Sequence, residues 1–277
     1  MTVTIIGLGW LGVPLAQLLR EQGYTVKGST TQSKKQAHLV DSGIDTTVFS
    51  LDPQPKGQNY SDLFDTDILF VNIPPGSRTR PASFHPQQIS AIKKLATETK
   101  VPRIIYASST GIYPNLNQVA RETDSIDRDN TGNLALWEAE NLLWKDKTYD
   151  LTVIRFAGLL GGDRIPGKYF SGKENVPGHF PVNYVHRVDA CRAVSWIIEK
   201  DLWNNMFNIV CPKHPTKKEV FEKNALDMGF PPPGSYDKSS NQNWKCISVE
   251  KFLETGFRFH FNDPLSFTYS VDLLSKT

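Results

Sequence analysis

Thr2-Val-Thr-Ile-Ile-Gly-Leu-Gly-Trp-Leu-Gly12 passes from an apolar run into three spaced glycines, and the architecture of the chain follows from it. Val3, Ile5 and Ile6 form a short apolar run, rich in β-branched residues and ended by glycine, which predicts a buried parallel strand rather than a helix start. Gly7, Gly9 and Gly12 then supply Gly-x-Gly-x-x-Gly, and Val13 to Arg20 carry a helical pattern in which Pro14 is tolerated in the first turn. The spacing has a physical logic. The first glycine permits a tight turn, the second lets backbone amides approach a pyrophosphate, and the third lets helix and strand pack closely. The diphosphate then rests on the positive end of the helix. A glycine triplet alone is weak evidence, because turns are glycine-rich. This one lies between a strand and a helix, the context the motif needs. Gly7, Leu8, Gly9, Trp10, Leu11 and Gly12 are therefore candidate dinucleotide-binding residues.

Working outward, Gly23 to Gly28 closes the first helix and supplies a second strand. A carboxylate about twenty residues beyond the glycines would bind the adenosine ribose 2′-hydroxyl and repel a 2′-phosphate. No Asp or Glu stands between Glu21 and Asp41; the segment reads Ser29-Thr-Thr-Gln-Ser-Lys-Lys35. Ser29, Thr30, Thr31, Ser33 and Lys34 suit a phosphate, so NADP is favoured, with NAD possible. Ser29 to Ser33 also fit as caps of the next helix, and both readings can hold together.

Further strands are predicted at 43–49, 67–73, 101–107, 151–156 and 206–210, and helices at 86–99, 134–144, 185–199, 217–228 and 249–254. Residues 52–62 read as a polar connection, 158–183 as loop, and the tail beyond 254 as strands. Carboxyl ends of strands line the cofactor crevice of a doubly wound sheet, which places Asn72, Ile73 and Pro74 beside the nicotinamide ribose. Ser108, Ser109, Thr110 and Tyr113 follow the fifth strand into the same crevice. Hydroxyls at a strand end are commonly turn formers; their position in the strand order favours a functional reading.

Composition narrows the function classes. With 277 residues and a net charge of +2, the chain is long enough for a full core and too nearly neutral to suggest a nucleic-acid surface. Cys191, Cys211 and Cys246 are far apart, with no Cys-x-x-Cys, and read as buried reduced thiols in a cytoplasmic protein, neither disulfide frame nor metal site. No signal peptide and no membrane span are expected.

Taken together, the residues resemble an extended short-chain dehydrogenase/reductase of the NAD(P)-dependent epimerase/dehydratase family. The resemblance rests on the N-terminal glycines, Ser108 to Tyr113, Glu138-Ala-Glu140, Arg155-Phe-Ala-Gly-Leu159, Val185-His-Arg-Val-Asp-Ala190, Phe207-Asn-Ile-Val210 and Lys251-Phe-Leu-Glu-Thr-Gly-Phe257. It implies an α/β fold, a Rossmann-type doubly wound parallel sheet with a smaller mixed C-terminal substrate-binding part. Residues 1–160 would form the NAD(P)-binding domain, with 184–211 returning to it, and 161–277 the substrate-binding part. The resemblance also suggests a homodimer. Two departures stand out. Extended members usually begin Gly-x-x-Gly-x-x-Gly, and the catalytic Tyr-x-x-x-Lys is missing: aligned on Glu138-Ala-Glu140, Gly132 takes the place of the Tyr and Leu136 that of the Lys. The chain thus resembles the atypical branch of the family. General acid/base assistance is worth roughly 10²–10⁴-fold, so Ser109, Thr110 and Tyr113 are the candidate catalytic residues in place of the pair. Tyr169 and Lys173 repeat the Tyr-x-x-x-Lys spacing by coincidence of form, on a loop that faces substrate in the family. Arg155, Arg164, Tyr169 and Lys173 are the candidate substrate-binding residues. His186 stands with them, its implied role being packing and loop positioning.

The expected function is an oxidoreductase or epimerase/dehydratase-like protein, NADP preferred, acting on a small anionic or sugar-nucleotide-like substrate through a non-standard active site. The alternative is a catalytically silent dinucleotide-binding sensor. The opening glycines also resemble hydroxyacid dehydrogenases with all-helical C-terminal domains, against which the Pro- and aromatic-rich second half argues.

Overall fold

The computed structural model describes residues 1–76, 79–237 and 243–270, and these form two compact units. The first comprises 1–112, 125–155 and 191–207; the second comprises 113–124, 156–190 and the described residues from 208 onward.

In the first unit the chain runs β1 (Thr2–Ile6), α1 (Gly12–Glu21), β2 (Thr25–Thr30), α2 (Ser33–Asp41), β3 (Asp45–Leu51), β4 (Pro55–Gly57), β5 (Ile68–Val71), α3 (Phe84–Glu98) and β6 (Arg103–Ser109). The second unit holds β7 (Gln118–Ala120), after which α4 (Leu134–Trp144) and β8 (Asp150–Phe156) return to the first. The second unit then carries β9 (Gly158–Leu160), α5 (Pro166–Tyr169) and β10 (Tyr184–His186). The chain passes back through α6 (Arg187–Glu199) and β11 (Asn205–Ile209), and ends on α7 (Lys217–Met228), β12 (Lys245–Ile247) and α8 (Glu250–Glu254).

Eight strands form one sheet in the order β11-β8-β6-β5-β1-β2-β3-β4. β1 pairs in parallel with β2 on one side and β5 on the other, Val3 facing both Val26 and Ile68. The chain winds outward from β1 in both directions. That reversal is the switch point of a doubly wound sheet, where a crevice opens beyond the carboxyl ends of β1 and β5. The continuous burial of Ile68–Val71 explains why this strand reads as an unbroken apolar run. One layer packs Ile89, Ile92 and Ala96 of α3 and Ala139 and Leu143 of α4 against Leu69, Val71, Ile104, Tyr106 and Val153 of the sheet. Spacings of three and four along each helix put these side chains on one face.

The described residues of the second unit form two two-stranded sheets, β10-β9 and β12-β7. Its core packs Phe170, stacked on Phe221 at 4.7 Å, with Val176, Val182 and Val220. A capping box, Thr216 with Glu219, starts α7, and two hydrogen-bonded donors at that end are thereby satisfied.

Several predicted elements are corrected. The connection 52–62 contains the antiparallel strand β4, paired with β3. The stretch 158–183 contains β9 and the single turn of α5, and residues 184–186 are strand rather than helix, paired with β9. No tail strand follows 254 among the described residues, whose last regular element is the 3₁₀ turn Pro264–Ser266; residues 271–277 lie outside them. Cys191 and Cys211 are buried, their thiols donating to the Leu11 and Phe261 carbonyls, while Cys246 is half-buried rather than buried.

Candidate functional site

The glycine turn of the first unit is built by three different demands. Gly7 has φ +107°, a conformation L side chains rarely adopt, and a Cβ there would collide with the Asn72 carbonyl. Gly12 opens α1 directly against Gly7, so a side chain would strike the Gly7 carbonyl. Gly9 is different: a Cβ built there meets nothing within 4 Å. Its lack of a side chain is therefore not required by packing, and it leaves the turn open to a ligand.

Neighbouring strands hold the turn. Ser29, buried at the end of β2, accepts the Gly7 N–H at 3.1 Å through Oγ and the Leu8 N–H at 2.7 Å through its carbonyl. Asn72, beyond β5, donates its side-chain amide to the Gly7 carbonyl at 3.1 Å. The structure thus brings Gly7, Ser29 and Asn72 together; Ile73 is half-buried and Pro74 exposed beside them. Leu8 and Leu11 are buried, so only their backbone is available to a ligand. Leu11 sits at the N-cap of α1, where no side chain caps the helix and no acidic residue lies in the first turn. The positive end of the helix thus lacks the polar partner that caps usually provide. A pyrophosphate fits this cradle: open at Gly9, flanked by a helix start, with the turn braced from two strands.

Of the residues read as a phosphate grip, Ser29 is committed to the glycine turn and Thr30 is buried, its hydroxyl accepting the Gln32 N–H at 3.4 Å. Thr31, Ser33 and Lys34 are exposed at the start of α2. The cap reading is not realised by a side chain: Gln32 is the N-cap and makes no side-chain cap bond. Ser33 and Gln36 line, with Thr47, Gln58 and Asn59, a groove of about 680 Å³.

At the end of β6, Ser108 is buried and donates to Glu140 Oε1 at 2.5 Å. Arg155, at the end of β8, places Nε 3.1 Å from the same oxygen and Nη2 2.7 Å from Oε2. Its side chain is 6% exposed, so the guanidinium is embedded around Glu140 rather than presented at a surface. Ser109 is half-buried, its Oγ accepting the Gly111 N–H at 3.1 Å, and Thr110 is buried. Glu140 was not singled out for a role, yet it is legible. It shares the buried face of α4 with Leu136, Ala139 and Leu143, and a carboxylate on an apolar stripe requires a partner. A second polar cluster lies under β6. His85 of α3 is fully buried and meets Tyr106 Oη at 2.7 Å and Gln88 Oε1 at 3.3 Å. Burial lowers its pKa to about 4, opposed by the Gln88 hydrogen bond.

The remaining candidates belong to the second unit. Tyr113 is 1% exposed and donates its hydroxyl to Asn208 Oδ1 at 2.8 Å, so its phenol is held inside that unit's core. His186 is buried between Phe261 and Phe267; Nδ1 accepts the Val188 N–H, which leaves Nε2–H to donate to the Thr268 carbonyl at 3.0 Å. Desolvation holds this imidazole below its ordinary range, opposed by the Thr268 contact. Tyr169 is 69% exposed, with Lys173 Nζ 3.7 Å from its ring centroid. The ammonium lies over the ring face, a cation–π contact. Arg164 lies in a four-residue turn closed by backbone bonds to Gly161.

Among the described residues there is no group of three or more acidic, histidine or cysteine side chains fit to hold a metal, and no helix is long and apolar enough to cross a membrane.

No family model matches the sequence. The Escherichia coli (strain K12) protein YeeZ is 31% identical over 268 residues, covering 95% of this chain and 97% of YeeZ. Among solved structures, a Thermotoga maritima UDP-glucose 4-epimerase with UDP-glucose superposes with a TM-score of 0.76 at 18% identity, over 93% of each chain. A short-chain dehydrogenase/reductase superfamily protein from Agrobacterium tumefaciens, with bound NAD, gives 0.75 at 17% identity, over 96% of this chain and 94% of that one. At these identities the likeness establishes the fold, that of the extended short-chain dehydrogenases/reductases.

Proposed function

This chain belongs to the family of YeeZ and has the extended short-chain dehydrogenase/reductase fold, and from there we propose that it binds NADP in its first unit and acts on a small anionic or sugar-nucleotide-like substrate. The observation that carries the reading is the glycine turn: two glycines that packing requires, and a third, Gly9, that packing does not. When bound, the nicotinamide would supply hydride acceptance and donation. The chain's own residues do the rest. The start of α1 takes the diphosphate, Asn72 fixes the turn, and Thr31, Ser33 and Lys34 at the start of α2 take the 2′-phosphate, where no carboxylate repels it. Ser109 is the hydroxyl we assign to the reacting group, with Thr110 behind it. Ser108 and Arg155 act through Glu140 as positioning residues. The phenol of Tyr113 stays with Asn208. A cytoplasmic location and a homodimer accord with this reading.

A second reading is favoured by a specific observation. Leu136, which takes the place of the family's lysine, is 2% exposed in the core, and Gly132 offers no side chain. A dinucleotide sensor without turnover needs neither group. Calorimetric titration with NADPH and NADH, then a fluorescence screen for substrate-dependent oxidation, tests both. Tight NADPH binding with oxidation by any candidate substrate supports the enzyme, tight binding without it the sensor. Failure of both cofactors to bind refutes the proposal.

A further inference from the structure

His186 joins two stretches of the second unit that lie far apart in the chain. It ends β10, paired with Leu160 of β9, and α6 starts at the next residue. Its imidazole is closely enclosed. Phe261 and Phe267 lie against it, their ring centroids 4.2 and 5.3 Å away. Gly161 lies at the ring's edge: a Cβ there would come within 2.6 Å of Nε2 and 2.9 Å of Cδ2. Both nitrogens are engaged. Nδ1 accepts the Val188 N–H at 3.3 Å, and Nε2–H donates to the Thr268 carbonyl at 3.0 Å.

The first of these bonds caps a helix. Val188 is the second residue of α6, and His186 stands where Ser, Asp or Asn commonly accepts such an N–H. The second bond ties the C-terminal segment to the same ring. Asp189 reinforces the joint by accepting the backbone N–H groups of His260 and Phe261 at 2.7 and 2.9 Å. Beneath it, Phe261 and Phe267 pack with Leu160 and Cys211, whose thiol donates to the Phe261 carbonyl at 3.1 Å.

A histidine cap differs from a serine or asparagine cap in one respect. Its acceptor is lost when the ring gains a proton, because both nitrogens of an imidazolium are donors. The new N–H would face the Val188 N–H, and no rotation of the ring restores an acceptor. The surroundings divide over that proton. The Thr268 carbonyl and Asp189 favour it, while Arg187 on α6 and His260 in the C-terminal segment oppose it. On the β9 side, Gly158, Leu159, Leu160 and Gly161 carry no charge. Burial outweighs the others and holds the closed ring neutral.

We propose that His186 is an acid-opened fastener: protonation breaks its cap on α6 and releases the segment around residues 260–268 from the ring, uncovering Cys211. The inference rests on neither the dinucleotide nor the substrate reading, and it goes beyond the packing role implied for this histidine.

The test is labelling of Cys211 in the full chain by dithiodipyridine, which reacts with thiols in acid, at about pH 7 and about pH 5. Peptide mapping reads Cys211 apart from Cys191 and Cys246. Each rate is divided by that of the urea-unfolded chain at the same pH, which removes the thiol's own pH dependence. An open-state imidazole of ordinary pKa allows an acceleration of up to about twenty-fivefold over this range, and several-fold is expected. His186→Asn keeps a cap acceptor, and His186→Gln keeps both an acceptor and a donor. Neither titrates, so labelling in each should change less than about twofold over the same range. Circular dichroism confirms that each protein is folded at both pH values. Wild-type labelling that does not accelerate overturns the fastener, as does equal acceleration in the two variants. Should neither variant fold, NMR titration of the wild-type imidazole decides. A midpoint of about 6.5 or higher overturns the proposal, and a lower one supports it.

Discussion

Lowering the pH should destabilise the first unit through one imidazole. His85 is fully buried. Gln88 donates its own amide to the Leu51 carbonyl at 2.7 Å, so its Oε1 is an acceptor and the His85 nitrogen facing it carries the proton. The other nitrogen then accepts from Tyr106. The fold thus holds the neutral ring, and its pKa falls from 6.5 to about 4. Between those values the unfolded chain binds a proton that the folded chain does not, so stability falls as the pH falls through 6.5 and levels off below about 4. Above 6.5 the contribution is intact. In full the difference is worth about 3 kcal/mol; at about pH 5, where most unfolded imidazole is charged and most folded imidazole is neutral, about 2 kcal/mol has been lost. The assay is urea unfolding followed by circular dichroism at about pH 7 and about pH 5, for wild type and His85→Gln. The glutamine does not titrate and keeps an acceptor for Tyr106. Every other acid-titrating group is common to both proteins, so the difference between their pH dependences isolates the imidazole. Equal pH dependence in the two proteins would refute the reasoning.

Four further outcomes are expected. Glu140→Gln strands a buried guanidinium and should cost about 3–5 kcal/mol, read from denaturant midpoints, with partial recovery in a Glu140→Gln, Arg155→Met double variant. Gly9→Ala should leave the melting temperature nearly unchanged and weaken NADPH binding by about tenfold or more, whereas Gly12→Ala should lose stability outright. Lys34→Glu should shift the ratio of NADPH to NADH affinity by at least about tenfold towards NADH in the same titration, through repulsion of the 2′-phosphate. Thr216→Ala removes one half of the α7 capping box and should cost about 1 kcal/mol in thermal unfolding.

What was legible in the sequence was what local pattern controls. β1, the glycine turn and α1 follow from a run of apolar β-branched residues and three glycines at fixed spacing, all within one local stretch. The bounds of α4, Leu134–Trp144, and α7, Lys217–Met228, agree with those predicted because amphipathic spacing and a capping box are local signals. For Tyr113, nearness in sequence to Ser109 did not reveal the partner of its phenol. The 3₁₀ turn Thr110–Ile112 intervenes, and the acceptor for the phenol is Asn208, ninety-five residues on. No periodicity connects those two residues. The partner of Arg155 was hidden for a related reason. A cation at a strand end suits a ligand, but Glu140 lies fifteen residues earlier on a different element, and only tertiary packing reveals the pair.

The same buried network bears on whether chemistry survives without the tyrosine and lysine. Leu136, Ala139, Glu140 and Leu143 share one face of α4, so the position that would carry an ammonium is now part of the apolar layer. Returning a lysine there would bury a charge, at a cost of several kcal/mol, unless the helix shifted. The framework around it is nevertheless kept. Ser108 remains fixed through Glu140 to Arg155, and the backbone at 109–111 is tied down by the Ser109 Oγ bond from Gly111. A polar network buried at this expense rigidifies the segment it holds, and that segment carries the Ser109 hydroxyl. Ser109→Ala therefore separates the two readings more cleanly than any change at 132 or 136, because it removes a hydroxyl without disturbing the Glu140 pair. Lost turnover with unchanged NADPH affinity would make the serine a working group; unchanged turnover would place the chemistry, if any, on residues other than the β6 hydroxyl.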